Sequence, residues 1–329
     1  MDITLLLALL GLSVLVIPAL GGDDDGDDDE LNEINGTPEN DENLNGTEGN
    51  DLIFGFAGDD TINALGGNDT IRAGAGNDTV NGGDGRDFIF GFDGNDTING
   101  GDGADKIQGG EGNDRIDGGR NADDIDGGPG NDILLGGAPA VRGPDGEPII
   151  DTLRRDDVDG DDGDDTIFIW GGRGEAEGGE GDDTLVLVTG QGTLSDEFGG
   201  ATDFVILANA QDETIPTRGT ITEFNPVQDT LTLTVDGDLG GGDAPEVEFI
   251  LREETRLEGN TPVSGIFVLA QIADGEPDVE GSEGAGVFLR GATLAGLDGA
   301  EINVVFTDNA DYFDPISTLE DVQEQLAAT

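Results

Sequence analysis

The chain has 329 residues, of which 74 are Asp or Glu and 13 are Lys or Arg, giving a net charge of −61. A compact fold with that charge repels itself, so a cationic partner is expected in the folded state; nucleic acid is excluded, because binding it requires a basic surface. Cys and His are both absent, which excludes disulfides, Cys/His zinc sites and every catalytic constellation built on those residues.

Ile3 to Leu20 run for 18 residues without a charge, with Pro18 near the end and Gly21-Gly22 after it. Residues 1–22 fit either a signal peptide, with Ala19 and Gly21 as small residues before a cut, or a membrane anchor in the form of a short apolar helix. Residues 23–45 are acidic and poor in apolar side chains, and read as a disordered spacer.

From Gly46 the sequence falls into nine-residue frames without a gap as far as Leu135, 90 residues or ten frames. GFAGDDTIN (55–63), GFDGNDTIN (91–99) and GGDGADKIQ (100–108) are examples. Position six is always Asp: Asp51, Asp60, Asp69, Asp78, Asp87, Asp96, Asp105, Asp114, Asp123 and Asp132. Position eight is always aliphatic, from Ile53 to Leu134. Residues 136–159 break the pattern as a Pro- and Gly-rich surface loop. GDDGDDTIF (160–168) and GGEGDDTLV (178–186) then resume it with Asp165 and Asp183, and the frame between them carries Gly174 at position six.

Each part of the unit has a physical reason. Glycine reaches φ > 0, so a tight loop can turn its carbonyl oxygens inward. The Asp carboxylate adds a charged oxygen, and calcium takes six to eight such oxygens where magnesium demands a stricter octahedron. The twelve position-six aspartates are therefore the candidate metal ligands. Two nonapeptides make one coil, so each frame stacks on the next but one with strands roughly 4.8 Å apart. Ten continuous frames then provide roughly eight shared calcium sites. Without metal the stacked carboxylates repel, and one aliphatic residue per frame does not offset the ordering entropy. Calcium-driven folding is expected. An EF-hand reading fails, since the stretch from Asp157 has Asp162 where that loop needs glycine and Phe168 where it needs glutamate.

These residues resemble the RTX, or haemolysin-type, calcium-binding family over 46–135 and 160–186. The resemblance implies a right-handed parallel β-roll with calcium ions held between adjacent turns by the aspartates and loop carbonyls. It also implies a bacterial protein exported to the cell surface or medium, with the type I secretion machinery as a partner. ITEFNPVQDTLTL (221–233) is similar to the stretch that follows such rolls. Asn121, and Thr47 with Glu48, depart from the loop pattern and imply weaker sites there.

Beyond residue 187 the nonapeptide ceases and apolar alternation appears. Strands are predicted at 203–207, 219–224, 230–235, 246–252, 264–271, 285–290 and 302–306, and a helix with a Ser317/Glu320 capping box near the end. The 187–329 region reads as an antiparallel β domain that caps the open end of the roll. The whole is an all-β, calcium-binding, non-enzymatic protein. Two other readings place an adhesive module or a carboxylate hydrolase in residues 187–329; no pair among Asp203, Glu223, Glu246 and Glu248 is singled out for catalysis.

Overall fold

Alternate frames part into two stacks. A computed structural model describes residues 31–137, 141–142, 148–149, 155–170, 173–188, 192–196, 200–209, 218–236, 247–258, 261–272, 284–290, 297 and 301–307. In one stack Ile53 aligns with Ile71, Ile71 with Ile89 and Ile89 with Ile107. In the other, Ile62 aligns with Val80, Val80 with Ile98 and Ile98 with Ile116. Two nonapeptides therefore make each coil, and the coils form a parallel β-solenoid with one sheet of 13 strands and one of 11. No helix occurs among the described residues.

The period of the sequence sets the core. Strand side chains alternate between faces, so the position-eight residue points inward while its neighbours point out. Ile53, Ile62, Ile71, Ile89, Ile98, Ile107, Ile116, Ile125 and Leu134 are at most 1% exposed and form a single interior column. The corners need glycine for a separate reason. Gly94, at position four, has φ of 142°, and a Cβ there would run into the carbonyl oxygen of Gly76 one coil below. Position two is also left-handed, with φ of 105° at Gly83 but also 80° at Phe56 and 82° at Phe92, a conformation that costs a non-glycine residue roughly 1–3 kcal/mol.

The outer faces differ along the roll. Thr61, Thr79 and Thr97 align, as do Asn63, Asn81 and Asn99, forming a polar ladder in which the Asn81 amide donates to Asn63 Oδ1 at 2.9 Å. On the other sheet the Arg72 guanidinium lies 4.6 Å from the Phe92 ring centroid and 5.6 Å from that of Phe90.

Three sequence expectations are corrected. Residues 31–45 are not a disordered spacer: Asn32–Asn35 pairs with Asp51–Ala57 and Leu44–Asn45 with Thr61–Asn63, because Ile34 and Leu44 each supply the inward aliphatic residue that a coil needs. The 136–159 loop is shorter than expected, since Asp157–Asp159 is a roll strand paired with Asp124–Asp126 and Val158 is its 1% exposed core residue. Val141–Arg142 and Pro148–Ile149 form a separate antiparallel ribbon within the insertion.

The third correction concerns the region after 187. All seven predicted strands are present, but they do not form an antiparallel domain. Asp203–Asn209, Thr230–Asp236 and Glu301–Thr307 continue one sheet of the solenoid in parallel, and Thr193–Ser195, Arg218–Thr222 and Gly284–Arg290 continue the other. Antiparallel pairing among these strands is limited to Val247–Glu258 with Thr261–Ile272 and of the latter with Gly284–Arg290. The inward position of each coil decides this: Leu194, Phe204, Ile221, Leu231 and Leu289 are 0% exposed and extend the same core column. The apolar segment 3–20 and the helix predicted around Ser317 and Glu320 lie outside the described residues.

Ile98→Ala removes the middle of this column. It should destabilise the calcium-loaded full chain by about 2–5 kcal/mol in a denaturant titration, the usual cost of such a truncation.

Candidate metal centre

The position-six aspartates stack into two columns, one at each edge of the roll. Along one column the backbone N–H of Asp60 donates to Asp78 Oδ1 at 2.8 Å, that of Asp78 to Asp96 at 2.8 Å, of Asp96 to Asp114 at 2.7 Å and of Asp114 to Asp132 at 2.7 Å. The series then crosses the insertion to Asp165 and ends at Asp183. The other column runs through Asp51, Asp69, Asp87, Asp105 and Asp123 with bonds of 2.8–2.9 Å. Apart from Asp51, which heads its column, each carboxylate is thus bound by one oxygen to the coil beneath it.

The second oxygen is different. In Asp60, Asp69, Asp78, Asp87, Asp96, Asp105, Asp114, Asp132, Asp165 and Asp183 the Oδ2 atom is buried and accepts no hydrogen bond. These side chains are 0–2% exposed. A buried carboxylate oxygen without a donor costs several kcal/mol unless a cation satisfies it.

Position one completes the arrangement. A Cβ on Gly82 would lie 2.6 Å from Asp87 Oδ2 and 2.5 Å from the carbonyl oxygen of Gly100, the equivalent glycine one coil on. On Gly100 it would lie 2.7 Å from Asp105 Oδ2 and 2.5 Å from the Gly118 carbonyl oxygen. The missing side chain leaves a cradle on which a carboxylate oxygen and a carbonyl oxygen of the next coil converge. Among the described residues no three Asp or Glu side chains gather around one point. A cation here would take one carboxylate per coil and otherwise main-chain oxygens, a donor set suited to calcium.

The sequence comparison agrees with that chemistry. The RTX calcium-binding nonapeptide repeat family matches in four copies, at residues 39–71, 72–107, 90–125 and 99–134. The repeat is the RTX calcium-binding nonapeptide. No curated protein matches the chain. Among solved structures, the AlgE6R3 subunit of the Azotobacter vinelandii mannuronan C5-epimerase matches with 21% identity over 54% of this chain and 81% of that one, at a TM-score of 0.18. A score that low carries no argument about function.

The structure sorts the predicted RTX aspartates. Asp51 has its carboxylate closed by its own loop, Thr47 N–H donating to Oδ2 at 2.6 Å and the Thr47 hydroxyl to Oδ1 at 3.1 Å. Asp41 is closed in the same way by Thr37 N–H at 2.6 Å, and Asp229 by Asn225 N–H at 2.5 Å. Closed loops therefore flank the open ones at both ends of the roll. Asp123 donates its N–H to Asp156 Oδ1 at 3.3 Å across the insertion.

Asp41, Asp156 and Asp229 were missed as position-six residues. Asp156 was legible: counting back nine residues from Gly160 gives a frame that ends Asp156-Asp157-Val158-Asp159. The 221–233 stretch likewise contains a frame ending at Asp229-Thr230-Leu231-Thr232, which stacks on Thr202.

In the metal-free roll, burial pushes these carboxyls up from their ordinary 3.8, and the neighbouring carboxylates of each column add to the effect. Asp69 rises to about 7 and Asp165 to about 8, while Asp78, Asp87, Asp96, Asp105, Asp114, Asp132 and Asp183 rise to about 6. A pKa that is higher folded than unfolded favours folding at low pH, and the contribution is lost as pH rises through the folded values. The calcium-free full chain should therefore show more β signal by far-UV circular dichroism near pH 4 than near pH 8, with stability lost progressively from about pH 4, where the unfolded carboxyls ionise, up to the folded values of about 6 to 8. Equal signals at both ends would contradict the buried-carboxylate account.

Proposed function

We propose that the chain is a calcium-dependent, exported, non-enzymatic protein whose roll orders when calcium neutralises its two aspartate columns. The row of buried, donorless Oδ2 atoms supports this most directly. Bound calcium would supply the positive charge and oxygen-seeking coordination that these atoms lack. Asp60, Asp69, Asp78, Asp87, Asp96, Asp105, Asp114, Asp132, Asp165 and Asp183 would hold it, with position-one carbonyls such as those of Gly100 and Gly118. The position-four and position-two glycines let adjacent coils approach closely enough for both donors to reach one ion.

Export is supported by the same balance. Where calcium is scarce the columns repel and the chain stays unfolded, the form that a type I secretion channel accepts; folding then follows on meeting calcium outside. The non-enzymatic reading rests on the composition, which lacks His and Cys and with them most nucleophile–base pairs.

Titrating the chelator-treated full chain with calcium, at pH 7.5, should give a cooperative gain of β signal that magnesium does not reproduce. Asp96→Asn should bind fewer ions and raise the calcium midpoint roughly tenfold or more, the scale on which metal sites respond to loss of ligand support. A complete β signal in chelator, unchanged by calcium, would overturn the proposal.

A further inference from the structure

The regular motif ends at Asp183, and its last open carboxylate faces a coil that departs from the repeat. Along this edge the N–H of Gly160 donates to the Glu177 carbonyl, and that of Gly178 to the Ser195 carbonyl at 3.1 Å. Asp196 follows Ser195 as Gly178 follows Glu177, so Asp196 stands at position one of the next coil. In the coil before, that position brings the carbonyl oxygen of Gly178 to the cradle beside Asp165 Oδ2. Asp183 Oδ2 closes on the equivalent cradle at Gly178; it is buried, accepts no hydrogen bond, and belongs to a side chain only 1% exposed.

The next coil brings a second buried carboxylate to this edge. Asp196 is 6% exposed, and its charge acts on the Asp183 carboxyl. The loop 196–202 is one residue longer than 178–183, and position six becomes Thr202, which is 0% exposed and donates its hydroxyl to Asp196 Oδ2 at 2.8 Å. The carboxylate missing from position six is thus replaced from position one of the same loop, and the threonine orients it. Two buried carboxylates on adjacent coils, one acting on the other's charge, are unfavourable without a cation.

We infer that Asp183 and Asp196 form a terminal calcium site outside the nonapeptide pattern, which extends this metal column one coil past its last motif. Thr202 is the positioning residue for Asp196. Beyond it the column closes, because Asp229 is already occupied by the Asn225 N–H. The inference rests on the calcium reading given above.

The test counts bound calcium by equilibrium dialysis on the full chain and on the Asp183→Asn, Asp196→Asn and double variants. Asp196→Asn should bind one ion fewer than wild type, and the double variant no fewer than Asp183→Asn alone, because the two residues share an ion. An unchanged count and affinity in Asp196→Asn would overturn the site, as would a further ion lost in the double variant relative to Asp183→Asn. A wild-type chain that binds no calcium would instead overturn the broader reading. If Asp196→Asn does not reach the wild-type β signal in calcium, anomalous diffraction from terbium-soaked wild-type crystals decides: an ion bonded to the Asp196 carboxylate supports the site, and none there overturns it.

Discussion

The structure depends on how one aspartate carboxylate per frame divides its two oxygens. Oδ1 takes the N–H of the aspartate one coil below, and so fixes the register of the stack. Oδ2 stays buried and open, and so makes the stack costly unless a cation is present. The same side chain is therefore both the bond between coils and the source of their repulsion. Holding the charge at one per coil in each column keeps neighbouring carboxylates a strand spacing apart, and main-chain oxygens would be left to complete each cage.

Further along the chain the stabilising interaction changes in kind. On one edge, position six passes from Asp156 to Gly174, Gly192 and Gly219, while the strand bonds continue unbroken, Thr193 N–H to the Gly174 carbonyl and Thr220 N–H to that of Gly192. The interior grows to match: Ile169, Leu185, Leu187, Phe204, Ile206 and Leu233 are all at most 1% exposed. A second apolar cluster of Leu135, Phe168, Trp170, Val186, Val188 and Val205 is buried on the opposite side of the same strands. The early frames bury one large aliphatic side chain each, two per coil, and leave the carboxylate charge to be neutralised. The later frames bury several, so apolar burial at roughly 25 cal/mol per Å² takes over the work that a bound cation would do earlier. The loops that close on themselves at Asp41, Asp51 and Asp229 fit this division, since each satisfies its carboxylate with a backbone N–H and leaves no open oxygen at an end of the column.

The legibility of the repeat varied with how strictly it was kept. From Gly46 to Leu135 the phase of Asp and the aliphatic residue was enough to give coil length, register, core and ligands, because each is a short-range consequence of a nine-residue period. Before residue 46 the signal was hidden under acidic composition, where Ile34 and Leu44 are the only aliphatic residues that mark the coil. After residue 187 it was hidden by glycine and threonine at position six and by a loop longer by one residue, which shifted the frame at Asp196. A strand of alternating apolar residues carries no mark of whether its neighbour runs parallel or antiparallel, so Thr230–Asp236 read as part of a separate domain when it is another coil.

The sequence by itself determined the chemistry: an excess of carboxylate, no His or Cys, and a period of nine that places one oxygen donor and one apolar residue in every frame. Those follow from residue type and spacing, which local geometry converts directly into loops and strands. Only the tertiary structure decided which carboxylates stay open and which are closed by their own loop, which strands outside the regular repeat join the solenoid, and that Asp196 is buried at position one of the coil next to Asp183. Each of those depends on what the adjacent coil presents some 18 residues away, and a hydrogen bond from that coil, or its absence, is not written in the frame itself.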